Sequence, residues 1–296
     1  MNFSVDKIRL SISVPLWDMV FLKVKVSNGL LTYYENNKIS AYRHNFNLVE
    51  SVYDTMFNVF TGDNQNSDIR GVNRLWIGIS PNSSPSDSDY QKMTIEYNPN
   101  KTDLNFGVAQ QIFEHYFNSY NPIVDCCDIA IDLFDVPIDY LVYLKNRKNR
   151  ILDFRQGGGR TVYFGTHASS GFCKVYNKAV EQNISDKVWT RVEYSFKIDN
   201  FLNSVVTGNY IFDCNIPELF FFDFSKIEKF DLDDICKIKC ILDGFCSLDD
   251  FPRKTKAKLK TLLSFYGSYY LTRDNVYQQC KDTLTNYLKD LFSFGT

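Results

Sequence analysis

Histidine is scarce in this chain: His44, His115 and His167 are the only three among 296 residues. No His-x-His pair exists, so a metal centre clamped by paired imidazoles is excluded. A strong charge of one sign is also missing. Lys plus Arg number 33 and Asp plus Glu 35, a formal net charge of −2. The chain therefore lacks the global basic signature of many nucleic-acid binders, and any such contact must come from local patches. No apolar run reaches the ~18–20 residues that span a bilayer. The opening MNFSVDKIRL lacks a charged segment followed by an apolar one, so no signal peptide, no membrane partner and a cytoplasmic location are expected. The eight cysteines are irregularly spaced. Cys236, Cys240 and Cys246 have no histidine nearby to complete a zinc set, and reduced thiols are the expectation. Alanine and proline are sparse beside abundant Asn, Tyr, Phe, Ile and Lys, the coding bias of an AT-rich genome.

What is present is a large apolar fraction, 44%, with 16% aromatics, enough for one large domain or two smaller ones. Ile8–Val14, Phe21–Val26, Leu30–Tyr34, Leu75–Ile79 and Met93–Tyr97 read as strands, with Asn28-Gly29 as a hairpin turn. Leu48, Val52, Met56, Val59 and Phe60 have helical spacing, and Phe106–Phe117 reads as a second helix. A strand over 125–134 precedes a helix expected near Pro137 and ending in the basic run Lys145–Arg150. Ile151–Phe154 and Thr161–Phe164 flank a glycine hairpin. A helix is expected around Asp199–Val206. From about Phe224 the pattern is helical to the end, and Val276, Cys280, Leu284, Tyr287, Leu288 and Leu291 form one stripe. The class is α+β: a mostly antiparallel central sheet with packed helices, then a helical C-terminal region. The division expected is a catalytic region over 1–223 and a helical basic region over 224–296.

Strand parity isolates the chemistry. Phe172, Lys174, Tyr176 and Lys178 share one face, and Cys173, Val175 and Asn177 the other. In the next strand Arg191, Glu193, Ser195 and Lys197 lie opposite Val192, Tyr194 and Phe196. Asp128 and Asp132 point one way while Ile129, Ile131 and Leu133 point into a core. Tyr176 is either a packing residue or a nucleophile, and its two flanking lysines would favour the phenolate. Asp128, Asp132 and Glu193 suit a hard cation, Mg²⁺ or Mn²⁺; a cross-strand salt-bridge network is the alternative. His167, in the turn Gly165–Gly171, reads as a plain loop residue or as one that approaches a phosphate. Arg253, Lys254, Lys256, Lys258 and Lys260 form the densest basic run, followed by Tyr266, Tyr269 and Tyr270. It reads as a DNA-backbone patch or as a solvated helix face.

Four motifs in order carry a resemblance: Asp128-Ile-Ala-Ile-Asp132, Tyr163-Phe-Gly165, Lys174-Val-Tyr176-Asn-Lys178 and Arg191-Val-Glu193. Over roughly residues 70–200 the chain resembles the replication initiation factor family (Rep_trans), the rolling-circle plasmid initiators and related conjugative nickases. Cys127 stands where an arginine is common in that family, and Asn177 where an aspartate is usual. The resemblance implies a metal-dependent endonuclease that nicks one strand at an origin, leaves a 5′-phosphotyrosine and later rejoins it. It implies Tyr176 as nucleophile, Asp128, Asp132 and Glu193 as metal ligands, and Lys174, Lys178 and Arg191 as cations for the phosphate. Origin DNA, duplex and single-stranded, a host helicase and a homodimer are the expected partners. A conjugative relaxase of the same chemistry, and a non-catalytic DNA-binding protein on this fold, are the alternatives.

Overall fold

A computed structural model of the chain describes residues 1–19, 55–60, 74–81, 89–102, 104, 107–143, 150–156, 159–167, 169–212, 216–222, 231–242 and 245–293. It divides into two compact units. The first holds residues 1–4, 128–197 and 212–284, and the second 5–127, 198–211 and 285–296. Among the described residues the strands are β1 (Asn2–Pro15), β2 (Thr55–Phe60), β3 (Arg74–Pro81), β4 (Tyr90–Tyr97), β5 (Ile123–Phe134), β6 (Leu141–Tyr143), β7 (Ile151–Gln156), β8 (Gly159–Phe164), β9 (Phe172–Asn177), β10 (Trp189–Phe201), β11 (Leu219–Phe222) and β12 (Gly267–Leu271). The α-helices are α1 (Gly107–Ile112), α2 (Lys178–Glu181), α3 (Leu202–Val206), α4 (Leu232–Leu242), α5 (Arg253–Tyr266) and α6 (Arg273–Ser293). The α+β class read from the sequence is the observed one.

In the second unit the order is β2-β3-β4-β1-β5. Alternating Ile8, Leu10, Ile12 and Val14 are all buried, and the antiparallel register sets Leu10 beside Ile95 and Ile95 beside Ile77. Such apolar cross-strand rows are the unit of sheet stabilisation. A π-helical turn, Phe113–Phe117, continues α1 and buries Phe113, Tyr116 and Phe117. The hydroxyls of Tyr97, buried, and Tyr287, half-buried, meet at 2.8 Å and satisfy each other.

The first unit carries β5 from Asp128 onward, then β10-β9-β8-β7. One face of these strands is apolar: Ile129, Ile131, Val162, Val175, Val192 and Tyr194 are fully buried. The other face carries the polar motifs. A separate three-stranded sheet, β12-β11-β6, packs Val142, Phe220 and Phe222 on Ile238, Leu259 and Leu263 of α4 and α5. The helix α5 starts after Pro252, and Thr272 caps α6 by accepting from the Asn275 N–H at 3.2 Å.

Several expectations differ from what forms. The helix expected over Leu48–Phe60 is a strand where it is described: β2 pairs with β3 from Thr55–Ile79 to Phe60–Arg74. Six residues cannot separate helical from strand periodicity, and pairing decides. The helix expected after Pro137 is one 3₁₀ turn, Ile138–Tyr140, followed by β6, because Leu141–Tyr143 pair with β11. The helical run from about Phe224 is broken by β12, which pairs with β11 from the other side. That pairing also joins chain on both sides of the expected 223/224 division. The compact units follow a different boundary, because the chain returns to each of them. The hairpin over 21–34 and most of the basic run 145–150 lie outside the described residues.

Ile129→Ala removes a fully buried side chain and should lower stability by about 2–5 kcal/mol. Leu232→Ala, at a position 76% exposed, should stay within about 0.5 kcal/mol. Urea unfolding of the two variants checks this pair; equal losses would refute the assignment of the core.

Candidate active site

The polar face of the first unit is built by register. Arg191 lies opposite Tyr176 and Glu193 opposite Lys174, while Thr161 and Tyr163 of β8 lie opposite Tyr176 and Lys174. Two cross-strand rows result: Phe154, Thr161, Tyr176, Arg191 and Leu152, Tyr163, Lys174, Glu193. The Tyr176 hydroxyl donates to Glu193 Oε1 at 2.5 Å. Lys178 Nζ donates to the same hydroxyl at 3.3 Å, and Lys174 Nζ stands over the Tyr176 ring at 3.8 Å. Lys174 also lies 3.9 Å from Glu193 Oε2. After Tyr176 the strand ends because the Asn177 side chain caps α2, accepting from the Val180 N–H at 3.0 Å. That cap turns Lys178 back toward the phenol, and Glu181 pairs with it.

Tyr176 is 4% exposed, so it is buried beside carboxylates and cations together. Burial first, and then the Glu193 carboxylate, push its phenol well above the ordinary tyrosine range. The expectation that the flanking lysines favour a phenolate is therefore corrected. Desolvation and one hydrogen-bonded carboxylate outweigh them, and the phenol is a neutral donor whose proton is aimed at Glu193.

Asp132 belongs to a different constellation. Arg191 donates to it through Nε at 2.7 Å and through Nη2 at 2.9 Å, and the Trp189 indole N–H donates at 2.6 Å. Both partners of the ion pair are nearly buried, so it is a bidentate pair sheltered from water. The site residues expected as metal ligands thus part company. Glu193 holds the tyrosine, Asp132 holds Arg191 and Trp189, and Asp128 sits half-buried four residues earlier on β5. Among the described residues no group of three or more His, Cys, Asp or Glu is arranged to hold a metal ion. The trio does not fit a hard divalent cation in this arrangement, because Asp132 has both oxygens committed to cationic and indole donors.

The basic run is on α5, and most of its cations are countered. Lys256 pairs with Asp249, Lys258 with Asp234 at 2.6 Å, and Lys260 with Glu218. Arg253 and Lys254, exposed in the first turn of α5, pair with no described carboxylate. Cations there oppose the helix dipole, so helix stability does not explain them. The side chains of Tyr266, Tyr269 and Tyr270 lie outside the description. His167 packs on Phe172, ring centroids 4.1 Å apart, on the exposed loop between β8 and β9.

Two participants were missed from the sequence. Trp189 lies two residues before Arg191, so parity alone puts it on the polar face. Glu181 lies one helical turn after Lys178, a spacing that a predicted helix start at Asn177 would have revealed.

A curated protein from Staphylococcus aureus named "Replication initiation protein" is 26% identical over 188 residues. The chain is similar to a replication initiator. The match takes in 62% of this chain, which spans only 58% of that relative's length. A solved rolling circle replication initiator protein from Geobacillus stearothermophilus aligns at 16% identity with a TM-score of 0.36, over 69% of this chain and 77% of that one. No family model matches the chain.

Two outcomes test this geometry. Asp132→Ala strands the Arg191 charge, and should cost about 3–5 kcal/mol in urea unfolding. A value under about 1 kcal/mol would refute the buried pair. Comparison of phenolate absorbance between wild type and Tyr176→Phe should show no missing chromophore through about pH 10, where ordinary tyrosines ionise. Since the folded-state value is raised, the stability owed to protonated Tyr176 is intact below about pH 10 and falls as pH rises through the folded value.

Proposed function

We propose that this protein is a rolling-circle replication initiator, a site-specific nickase and strand transferase working through Tyr176. The observation that carries the reading is the hydrogen bond from the Tyr176 hydroxyl to Glu193, with Lys174 and Lys178 beside it. A nucleophile is activated when its proton has an acceptor in place at the moment of attack, and Glu193 is that acceptor. In the proposed step the tyrosyl oxygen attacks the scissile phosphorus and its proton passes to Glu193. The bond from phosphorus to the 3′ oxygen breaks, that oxygen leaves and takes up a proton from solvent, and a 5′-phosphotyrosine remains. Rejoining runs the same bonds in reverse. Negative charge developing on the phosphate falls beside Lys174 and Lys178, and Arg191 is one cross-strand position away.

The similarity to a protein named for replication initiation supports a role in that process. The resemblance implies origin DNA as the substrate, duplex where it is recognised and single-stranded where it is cut. No described helix is long and apolar enough to cross a membrane. A cytoplasmic location with the DNA, a helicase partner and a homodimer are part of the proposal. Arg253 and Lys254 are the α5 cations available to a DNA backbone without first breaking an ion pair. The divalent cation is proposed from the resemblance alone; binding at Asp128, Asp132 and Glu193 would require Asp132 to release Arg191 and Trp189. A conjugative relaxase would use the same residues at a transfer origin. The burial of Tyr176 favours a second reading, a DNA-binding protein without cleavage.

Nicking of a supercoiled plasmid carrying the presumed origin separates these, with Mg²⁺, Mn²⁺ or EDTA. Wild type should relax the plasmid and leave a covalent protein–DNA adduct, and Tyr176→Phe should leave none. Glu193→Gln should slow nicking by about 10²–10⁴-fold. Adduct formation surviving in Tyr176→Phe would move the nucleophile, with half-exposed Tyr163 ahead of fully buried Tyr194. Binding without relaxation would favour the second reading.

A further inference from the structure

We propose that the polar face of the first unit's sheet is a track for single-stranded DNA, whose unstacked bases lie on two aromatic clusters flanking the Tyr176 hydroxyl. The inference deepens the nickase reading and rests on it.

On one side stand Phe134 and Trp189. Phe134 is two residues after Asp132 and Trp189 two before Arg191, so both side chains share the face of Tyr176 and Glu193. Their ring centroids are 5.4 Å apart, tilted by 33°, and Phe134 is 48% exposed. The Trp189 ring is held in place: its N–H is bound by buried Asp132 at 2.6 Å, and the Arg191 guanidinium lies 5.4 Å from its centroid. An aromatic surface fixed before binding loses little entropy on binding.

On the other side stand Phe154 and Tyr163. Phe154 is 53% exposed and begins the row that runs through Thr161 and Tyr176 to Arg191. Its ring meets that of Tyr163 at 6.0 Å, and Tyr163 is stacked at 21° on Phe172. At about 4.8 Å per strand, Phe154 on β7 lies about 14 Å across the face from β10. The tyrosine hydroxyl lies between the two clusters.

Single exposed phenylalanines are ordinary. Here two of them share one sheet face, each is backed by another ring, and the two rows that hold Arg191 and Lys174 run between them. That interleaving of π-faces with cations suits a chain of alternating bases and phosphates. A large contiguous apolar patch would mark a protein partner, and the polar rows divide this one.

The test uses the full chain and a fluorescein-labelled oligo-dT, without divalent metal, read by fluorescence anisotropy. Phe134→Leu and Phe154→Leu keep apolar volume but lose the π-face, and each should weaken binding about tenfold. Phe154→Tyr should bind like wild type, and Leu232→Ala, on the other sheet's helix layer, should be unchanged. Circular dichroism confirms that each variant is folded. Unchanged affinity in both leucine variants, no binding of oligo-dT, or binding of oligo-rU alone would each overturn the track. The probe has no origin and nothing is cut, so the two readings fail separately. Weakened binding in the variants with a plasmid that is never nicked keeps the track and removes the nickase. A nicked plasmid with unchanged affinities does the reverse.

Discussion

The pairing of β9 with β10 sets the contacts of Tyr176 with its carboxylate and with the cation over its ring. With Arg191 opposite Tyr176 and Glu193 opposite Lys174, the phenol reaches a carboxylate and a ring meets an ammonium. Side chains alternate with a period of two, so a slip of one residue would send Tyr176 and Glu193 to opposite faces. The apolar side enforces the register. Val162, Val175 and Val192 form one buried row across β8, β9 and β10, and a slip would expose that row to water. Core packing and chemistry are thus two faces of one hydrogen-bond ladder.

Burial then governs the charges. The cations of the site are matched against carboxylates: Arg191 with Asp132, Lys178 with Glu181, Lys174 near Glu193. Burial, and then the Glu193 carboxylate, keep the phenol neutral, which separates this arrangement from one in which lysines strip the proton in the ground state. An arriving phosphate would offer oxygens to cations that already have acceptors, so its binding is an exchange of partners. The same holds on α5, where Lys256, Lys258 and Lys260 are paired in the free protein. If a polyanion binds as proposed, these internal pairs would offset part of its affinity, and the slightly acidic net charge would add nothing to it.

Much of the central sheet was legible because its strands alternate cleanly. Ile129, Ile131 and Leu133 against Asp128 and Asp132 leave a single placement for β5, and Val192, Tyr194 and Phe196 do the same for β10. Short segments were not legible. Thr55–Phe60 and Leu141–Tyr143 carry too few residues for periodicity to decide, and they are strands because a partner strand is there. The compact units were hidden for a related reason. The first unit collects residues 128–197 and 212–284, with 198–211 assigned to the other, and no composition shift marks those points.

For the site, the sequence determined membership and parity: a tyrosine, its lysines, an arginine and three carboxylates on the outward positions of neighbouring strands. Parity is local geometry, set by the two-residue repeat of an extended backbone, and so it can be read from spacing alone. Which carboxylate meets which cation was decided only by tertiary structure. Asp132 and Arg191 are 59 residues apart, and their contact depends on the relative placement of β5 and β10. That placement made Asp132 an anchor for Arg191 and Trp189, and left Glu193 as the acceptor of the Tyr176 proton, because each buried charge took the counter-charge its strand pairing brought within reach.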